Sequence, residues 1–430
     1  MLRQNIQLRF RNVLEWWVLV PQGEKRLLKN RRNKKEVEKE MADQIFKMGR
    51  RSFLGGSAIL AGAASAPALS STSGSMLTSM VGSTVVEPIY GPPPGVAKLN
   101  ANENPYGPSP LAIKAMTKAI TKGAYYVNET AQLLKQMIAE RHNLTTDHIL
   151  LSSGSSGVLT NLALAASREG HILGADLFWD TTSRMGTRNA EFGIKRLAKT
   201  VDLSIDLDAM LASITPDVAL AQVCNPNNPT AMVLPSAKLK VFCKAASKKT
   251  MVLVDEAYNE LTDDPDANST VPLIKEGYNV VVARTFSKIY GLAGMRVGYM
   301  IAAPETIEKI SQFGMGSYGL NQAGIAAAVA SYNDEVFLKH SKAKVVEARQ
   351  MVSEAVAANG LKALPSQTSF MFVDLGDLNA ETFRQEMAKE NVLIRGIYQD
   401  YTNWSRVSMG KIPDVQKYIN SLPKVIDRMS

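Results

Sequence analysis

The chain has 430 residues, of which 45% are hydrophobic, and this length predicts two lobes around a shared cleft. Its net charge of +9 lies almost entirely in residues 1–51, which alone carry +8, so the bulk charge of the remaining residues gives no support for a basic surface that binds nucleic acid. Two cysteines, Cys224 and Cys243, and four scattered histidines provide no disulfide framework and predict no metal site.

Residues 1–68 predict an export leader. Arg50 and Arg51 precede an uncharged stretch of apolar and small residues, Phe53–Ala66, and Ala66–Ala68 carries small residues where a signal peptidase reads them. This pattern resembles a bacterial twin-arginine (Tat) signal, which predicts a periplasmic or otherwise exported protein; without it the protein would be cytoplasmic. The stretch is shorter than the ~20 residues of a membrane span, so we expect no stable membrane insertion.

Residues 1–47 precede the twin-arginine segment, so the leader is unusually long. Translation from Met41 or Met48 would give a leader of ordinary length. Residues 69–97 are rich in Ser, Thr, Gly and Pro and predict a linker.

The globular pattern begins near Val96, and helical apolar spacing follows at Leu111–Lys122 and Ala131–His142. Short apolar runs then alternate with helical stretches, and they predict strands at His148–Leu151, Val218–Val223, Met251–Val254, Val280–Ala283 and Val297–Ala302. This alternation predicts an α/β fold with a mostly parallel sheet covered on both faces and a ligand site at the carboxyl ends of its strands.

The C-terminal part predicts a second lobe. From Asn333 the chain is expected to form a long helix, two strands at Phe370–Leu375 and Trp404–Met409, and a final helix.

Three segments with chemically suggestive residues follow predicted strands. They are Cys224–Thr230 (CNPNNPT), Val254–Tyr258 (VDEAY) and Arg284–Lys288 (RTFSK), the last followed by Gly291, Gly294 and Arg296. With Leu99–Pro108 (LNANENPYGP), their order and spacing resemble the fold-type-I, class I/II aminotransferases, specifically the histidinol-phosphate aminotransferase group. The resemblance spans about residues 98–420.

The resemblance implies a pyridoxal 5'-phosphate (PLP) enzyme with a large domain and a smaller α+β domain. The large domain, residues 126–325, would hold a mostly parallel mixed sheet flanked by helices and bind the cofactor. Residues 98–125 would form an N-terminal arm and part of the small domain, which residues 326–430 would complete.

The resemblance assigns the catalytic residues. Lys288 would hold the cofactor as a Schiff base and move a proton between the substrate α-carbon and the cofactor, as transamination requires. Asp255 would keep the pyridine nitrogen protonated. Asn228 and Tyr258 would bind the phenolic oxygen of the cofactor.

A phosphate group needs backbone N–H groups at a helix start, hydroxyls and a cation. Gly154, Ser155 and Ser156, at an expected helix start, would provide the N–H groups, and Thr285, Ser287 and Arg296 would provide the hydroxyls and the cation.

The resemblance also implies an aromatic ring that stacks on the cofactor. We expect this ring to be Trp179, with Phe178 as the second candidate. The chain departs from the family pattern in small ways: Ala231 replaces a glycine, Ser156-Gly157 replaces acidic residues, and Val127 replaces a proline.

The substrates implied are an amino donor and a 2-oxo acid. Arg406 matches the carboxylate-binding arginine of the family, and Asn104 belongs to the opening motif and is expected to bind substrate. Arg395 corresponds to an arginine that binds the substrate phosphate in histidinol-phosphate enzymes, or else serves another acidic side chain or the lobe interface. Tyr126 resembles a tyrosine that enters the phosphate site of the neighbouring subunit, which predicts a homodimer.

Two alternatives use the same cofactor. A decarboxylase or a carbon–sulfur lyase would need the same Lys288 and Asp255, although Arg406 favours chemistry at a substrate whose carboxylate is held. A non-catalytic PLP-binding regulator would need a DNA-binding domain ahead of this fold, and residues 1–47 are too short to form one.

Overall fold

A computed structural model describes residues 90–430, so the predicted leader and most of the predicted linker lie outside the described residues. The strands are β1 (Ala97–Lys98), β2 (Ile149–Ser153), β3 (His171–Gly174), β4 (Ile194–Arg196), β5 (Val218–Cys224), β6 (Met251–Asp255), β7 (Val280–Thr285), β8 (Val297–Ile301), β9 (Lys362–Ala363), β10 (Phe370–Asp374), β11 (Val392–Leu393) and β12 (Trp404–Ser408).

The helices surround these strands and alternate with them along the chain. They are α1 (Pro110–Ile120), α2 (Glu129–His142), α3 (Ser155–Ala166), α4 (Thr181–Thr187), α5 (Leu207–Ala212), α6 (Ser236–Ala246), α7 (Pro265–Asn268), α8 (Val271–Lys275), α9 (Pro304–Ser311), α10 (Gln322–Tyr332), α11 (Glu335–Ala358), α12 (Ala380–Lys389) and α13 (Ile412–Met429). No helix in residues 90–430 is both long and apolar enough to cross a membrane.

The large lobe is built on a seven-stranded sheet with the order β2-β8-β7-β6-β5-β3-β4. Only β8 runs antiparallel to its neighbours, which confirms the predicted α/β fold with a mostly parallel sheet. Side chains alternate between the two faces, as the pleat requires. In β6, Leu253 packs in the core cluster on the α3 side, whereas Val252 and Val254 pack in the main cluster on the other side.

The five strands predicted in this sheet are present, each within two residues of its expected ends. Two further strands, β3 and β4, were missed. β4 has the sequence Ile-Lys-Arg and lies at the edge of the sheet, where its residues are half-buried and need not be apolar. β3 has only four residues, which is too short for a clear pattern.

The smaller lobe contains the three-stranded antiparallel sheet β9-β10-β12 and the helices α11, α12 and α13. β1 pairs in parallel with β11, so the chain ahead of α1 is attached to the C-terminal part. Ser408 N also donates to Leu99 O at 2.9 Å. These contacts bring the segment after Lys98 to the edge of the large sheet.

Candidate active site

The carboxyl ends of β5, β6 and β7 meet at one edge of the large sheet. Cys224 pairs in register with Asp255, and Asp255 with Ala283, so the last residues of the three strands lie side by side. A cavity of about 470 Å³ opens there and lies between the two lobes. The predicted site residues that line it are Ser155, Ser156, Trp179, Asn228, Asp255, Tyr258, Thr285, Ser287, Lys288, Arg296, Arg395 and Arg406.

Lys288 and Asp255 are both buried in this cavity, and burial shifts their pKa values in opposite directions. Burial, with help from the charge of Arg406, lowers the pKa of the Lys288 ammonium to about 8. Burial raises the pKa of the Asp255 carboxyl to about 6. Within residues 90–430, the Asp255 carboxylate accepts hydrogen bonds only from the Ala257 N–H at 3.2 Å and the Cys224 thiol at 4.0 Å, and it forms no salt bridge, although the nearby charge of Lys288 opposes the rise of its pKa.

Tyr258 and Arg406 belong to one hydrogen-bonded group in the cavity wall. Asn102 Nδ2 donates to the Tyr258 hydroxyl at 2.9 Å, and burial holds the pKa of this phenol above its usual range. Arg406 Nη1 donates to Asn228 Oδ1 at 2.8 Å and Nη2 to the Asn100 carbonyl at 3.2 Å. Arg406 Nε is buried without a hydrogen-bond partner in the described structure, which indicates an anionic ligand.

The start of α3 forms a second polar region of the cavity. Gly154 precedes it with φ 71°, and a Cβ on Gly298 would lie 2.1 Å from Ser155 N, so glycine there lets β8 approach the helix start. Arg296 donates to Ser156 Oγ at 3.3 Å. Thr285 Oγ1 donates to Ser287 Oγ at 2.9 Å. Helix N–H groups, hydroxyls and a guanidinium therefore surround one volume, as phosphate binding requires.

The structure distinguishes Trp179 from Phe178 as the candidate for the ring that stacks on the cofactor. Trp179 is half-buried and lines the cavity. Phe178 is only 3% exposed, lies in the core and has the Arg196 guanidinium 5.1 Å from its ring centroid. Trp179 is therefore the ring that can reach a cofactor, and stacking itself stays a prediction.

Asn104 and Tyr126 were also predicted as site residues, but neither lines the cavity. Asn104 Nδ2 donates to Ile289 O at 2.7 Å and to Ser341 Oγ at 3.0 Å, so it supports the turn after Lys288, and its binding of substrate stays a prediction. Tyr126 is 70% exposed and packs edge-to-face on Tyr318 at 5.2 Å.

Several cavity residues were missed in the sequence. Asn100, Asn102 and Glu103 reach it from the opening motif, and Tyr398 reaches it from the small lobe. The alternation in Leu99–Asn104 could have indicated that Asn100 and Asn102 share a side, whereas no sequence signal identified Tyr398.

A buried ion pair lies behind the cavity. Arg284 Nη2 and Nε donate to Glu256 Oε2 at 2.7 and 3.1 Å, and Glu256 Oε1 accepts from Thr270 N at 2.7 Å. Glu256 follows Asp255 directly, and Arg284 lies four residues before Lys288. The pair therefore joins the two segments that carry the main site residues.

A second cavity, of about 680 Å³, lies between α3 and α4. Its polar side chains include Arg168, Arg188 and Glu191, and it holds no lysine beside a buried carboxylate. The chemistry thus assigns the active site to the smaller cavity.

Comparison with known proteins agrees with the fold and identifies the family. The family "Aminotransferase class I and II" matches residues 94–422. Histidinol-phosphate aminotransferase of Moorella thermoacetica is 32% identical over 333 residues, covering 77% of this chain and 86% of that protein. Histidinol-phosphate aminotransferase 1 of Dechloromonas aromatica is 33% identical over 335 residues, covering 77% and 90%.

A solved structure is also similar. The crystal structure of histidinol-phosphate aminotransferase from Sinorhizobium meliloti in complex with pyridoxal-5'-phosphate has a TM-score of 0.72 and 27% identity, covering 78% of this chain and 92% of that one. The chain belongs to the class I and II aminotransferase family. It is a PLP-dependent transaminase of fold type I, as the sequence predicted.

The residues present fit PLP. Its ring supplies an electron sink for charge that develops at the substrate α-carbon. Asp255, a buried carboxylate without a salt bridge, would hold a protonated ring nitrogen, and the α3 start with Arg296 would hold the phosphate. Lys288 Nζ would accept and return the α-proton, because its pKa of about 8 allows both protonation states near neutral pH.

Proposed function

We propose that the enzyme transfers the amino group of histidinol phosphate, or of a closely similar phosphorylated amine, to 2-oxoglutarate. The observation that best supports this proposal is a pair of guanidinium groups in one wall of the cavity. Arg395 and Arg406 face each other across an antiparallel bridge, with Arg395 N donating to Arg406 O at 3.0 Å. Both side chains line the cavity.

The charges of this pair suit both substrates. Histidinol phosphate has no carboxylate but carries a phosphate that is close to doubly negative at neutral pH, and 2-oxoglutarate carries two carboxylates. Neighbouring guanidinium groups can bind either by charge-assisted, bidentate hydrogen bonds. In residues 90–430 the Arg395 guanidinium has no carboxylate partner, and its nearest aromatic ring is Tyr398. The names of the relatives above point to the same amino donor.

Arg395→Ala tests the proposal. The specificity constant (kcat/KM) for histidinol phosphate should fall by about 30- to 4,000-fold, since losing a charge-assisted pair costs ~2–5 kcal/mol. The constant for phenylalanine, which has one carboxylate for Arg406, should change little. Arg384→Ala is the control, because Arg384 pairs with Glu381 on α12 outside the cavity.

An equal loss for both donors would make Arg395 structural. A broad-specificity aminotransferase would then be the better assignment, and the aromatic side chains of Trp179 and Tyr398 in the cavity would favour it.

We also propose that the active unit is a homodimer in which Tyr126 enters the partner's phosphate site. Tyr126 and Tyr318 are 70% and 69% exposed although they pack together, which supports an apolar contact surface. Lys288→Ala subunits, which should be inactive alone, and Tyr126→Ala subunits, which should be weakly active alone, should regain activity when mixed, since one site of the hybrid is then intact. If mixing restores nothing while sedimentation shows hybrid dimers, Tyr126 has another role.

Export by the twin-arginine route is a further proposal, supported by Arg50-Arg51 and the uncharged stretch after them. Replacing both arginines with lysine should hold the protein in the cytoplasm. Unchanged recovery from the periplasm would refute the route.

A further inference from the structure

The turn that carries Tyr398 connects the small lobe to the large lobe at the cavity. Tyr398 and Tyr401 form an antiparallel bridge, and Gln399 between them has φ 49°. The Tyr401 hydroxyl donates to the Asp176 carboxylate of the large lobe, and Gln399 Nε2 donates to Asp176 O at 3.3 Å. Asp176 lies three residues before Trp179, so the turn is fixed to the segment that carries the cavity's indole ring.

Tyr401 is well suited to hold this connection. It is only 4% exposed and lies in a small apolar cluster with Leu177 and Phe372. Burial and the neighbouring Asp176 hold the pKa of its phenol above the usual range, so it remains a hydrogen-bond donor. Lys199 Nζ lies 4.1 Å from the ring centroid on the large-lobe side.

The ring of Tyr398 contacts both cavity arginines. The guanidinium carbons of Arg395 and Arg406 each lie 5.6 Å from its centroid, within the range of a cation–π interaction. Its other neighbour is Phe372, packed edge-on at 5.6 Å, which is fully buried and fixes the ring orientation. The electron-rich ring of Tyr398 attracts both guanidinium groups. It therefore favours their close approach and limits the rotamers of the two arginine side chains.

We propose that Tyr398 determines specificity by holding Arg395 and Arg406 at a fixed spacing, and that the Tyr401–Asp176 hydrogen bond holds Tyr398 in place. Tyr398 is thus a positioning residue that selects substrates bearing a phosphate or two carboxylates over those bearing one carboxylate. The inference rests on the proposed function, because it assumes that both arginines bind substrate anions.

The test compares Tyr398→Ala and Tyr398→Phe holoenzymes on three amino donors: histidinol phosphate, glutamate and phenylalanine. Tyr398→Ala should lower kcat/KM for the first two by about 5- to 30-fold more than for phenylalanine, as expected for one or two lost cation–π contacts. The loss should appear in KM, because the arginines bind substrate before and during reaction alike. Tyr398→Phe should retain the wild-type ranking, since it keeps the ring.

Two further variants complete the test. Tyr401→Phe removes only the hydroxyl, and it should shift the ranking in the same direction by a smaller factor. Tyr90→Ala is the control, because Tyr90 is 87% exposed. The visible absorbance of the bound cofactor confirms that each variant is folded and loaded.

Equal losses for all three donors in Tyr398→Ala, or an equal loss in Tyr398→Phe, would overturn the role of the ring. An unchanged ranking in Tyr401→Phe would overturn the role of the hydrogen bond. A failure of the proposed function looks different: wild-type enzyme would then not turn over histidinol phosphate, or Arg395→Ala would affect all donors alike.

Discussion

At the scale of single residues, the site depends on two ionisable groups whose pKa values converge. Burial brings the pKa of Asp255 up to about 6 and that of Lys288 down to about 8. The motifs predicted both residues, because a lysine after hydroxyls and an aspartate at the end of a strand are local patterns. They could not predict the pKa values, which depend on residues far away in sequence, such as Arg406.

Lys288→Ala should remove the visible absorbance of the lysine-bound cofactor near the 420 nm region and essentially all turnover. The reason is that no other amine lines the cavity in residues 90–430. Absorbance spectroscopy of purified protein without added amine is the measurement. Lys309→Ala, an exposed position paired with Glu169 on the outer surface, should behave as wild type. A persistent visible band in the Lys288 variant would assign the cofactor link to another residue.

Asp255 should make cofactor affinity depend on pH. Its pKa in the folded apoenzyme is raised to about 6, so the carboxylate charge is present above this pH and is lost as the pH falls through it. A protonated ring nitrogen needs that charge, and cofactor affinity should therefore weaken as the pH drops below about 6.

Titrating apoenzyme with PLP across this pH range measures the effect. Asp255→Asn should bind weakly and lose the pH step near 6, since an amide does not ionise there. Asp266→Asn, on the exposed helix α7, is the control and should keep the step. The same step in both variants would show that another group titrates.

At the scale of elements, the buried ion pair Glu256–Arg284 fixes the end of β6 to that of β7. Sequence showed that both strands end in polar motifs, but it did not show that Glu256 and Arg284 pair with each other, because strand order is set by packing. The sequence did not predict β3 and β4 for the same reason. These segments are strands because β3 pairs with β5 and with β4, and neither contains an apolar run long enough to identify it.

Glu256→Ala should lower the free energy of unfolding by about 3–5 kcal/mol, because it removes the hydrogen-bonded partner of the buried Arg284 charge and leaves it only the longer contact to Glu260, at 3.7 Å. The double variant Glu256→Gln with Arg284→Met should lose much less, since it removes the charge as well. Urea denaturation followed by fluorescence gives both values. Equal losses would show that packing, and not the buried charge of Arg284, is responsible.

At the scale of the whole molecule, the active site is assembled from both lobes. β6 supplies Asp255 and the turn after β7 supplies Lys288, whereas β12 supplies Arg406 and the chain after β1 supplies Asn102. The sequence predicted the lobes and the strand-end site, but it could not distinguish Asn102 from Asn104. That choice follows from the pairing of β1 with β11, a contact across almost 300 residues.

The most direct test of the account follows the amino nitrogen. Enzyme is incubated with ¹⁵N-labelled histidinol phosphate and 2-oxoglutarate, and the products are analysed by mass spectrometry. The account predicts ¹⁵N-glutamate in equal amount to the histidinol phosphate consumed, and Arg395→Ala should nearly abolish it. Label recovered as ammonia, or consumption of the amine without labelled glutamate, would contradict an aminotransferase acting on this donor.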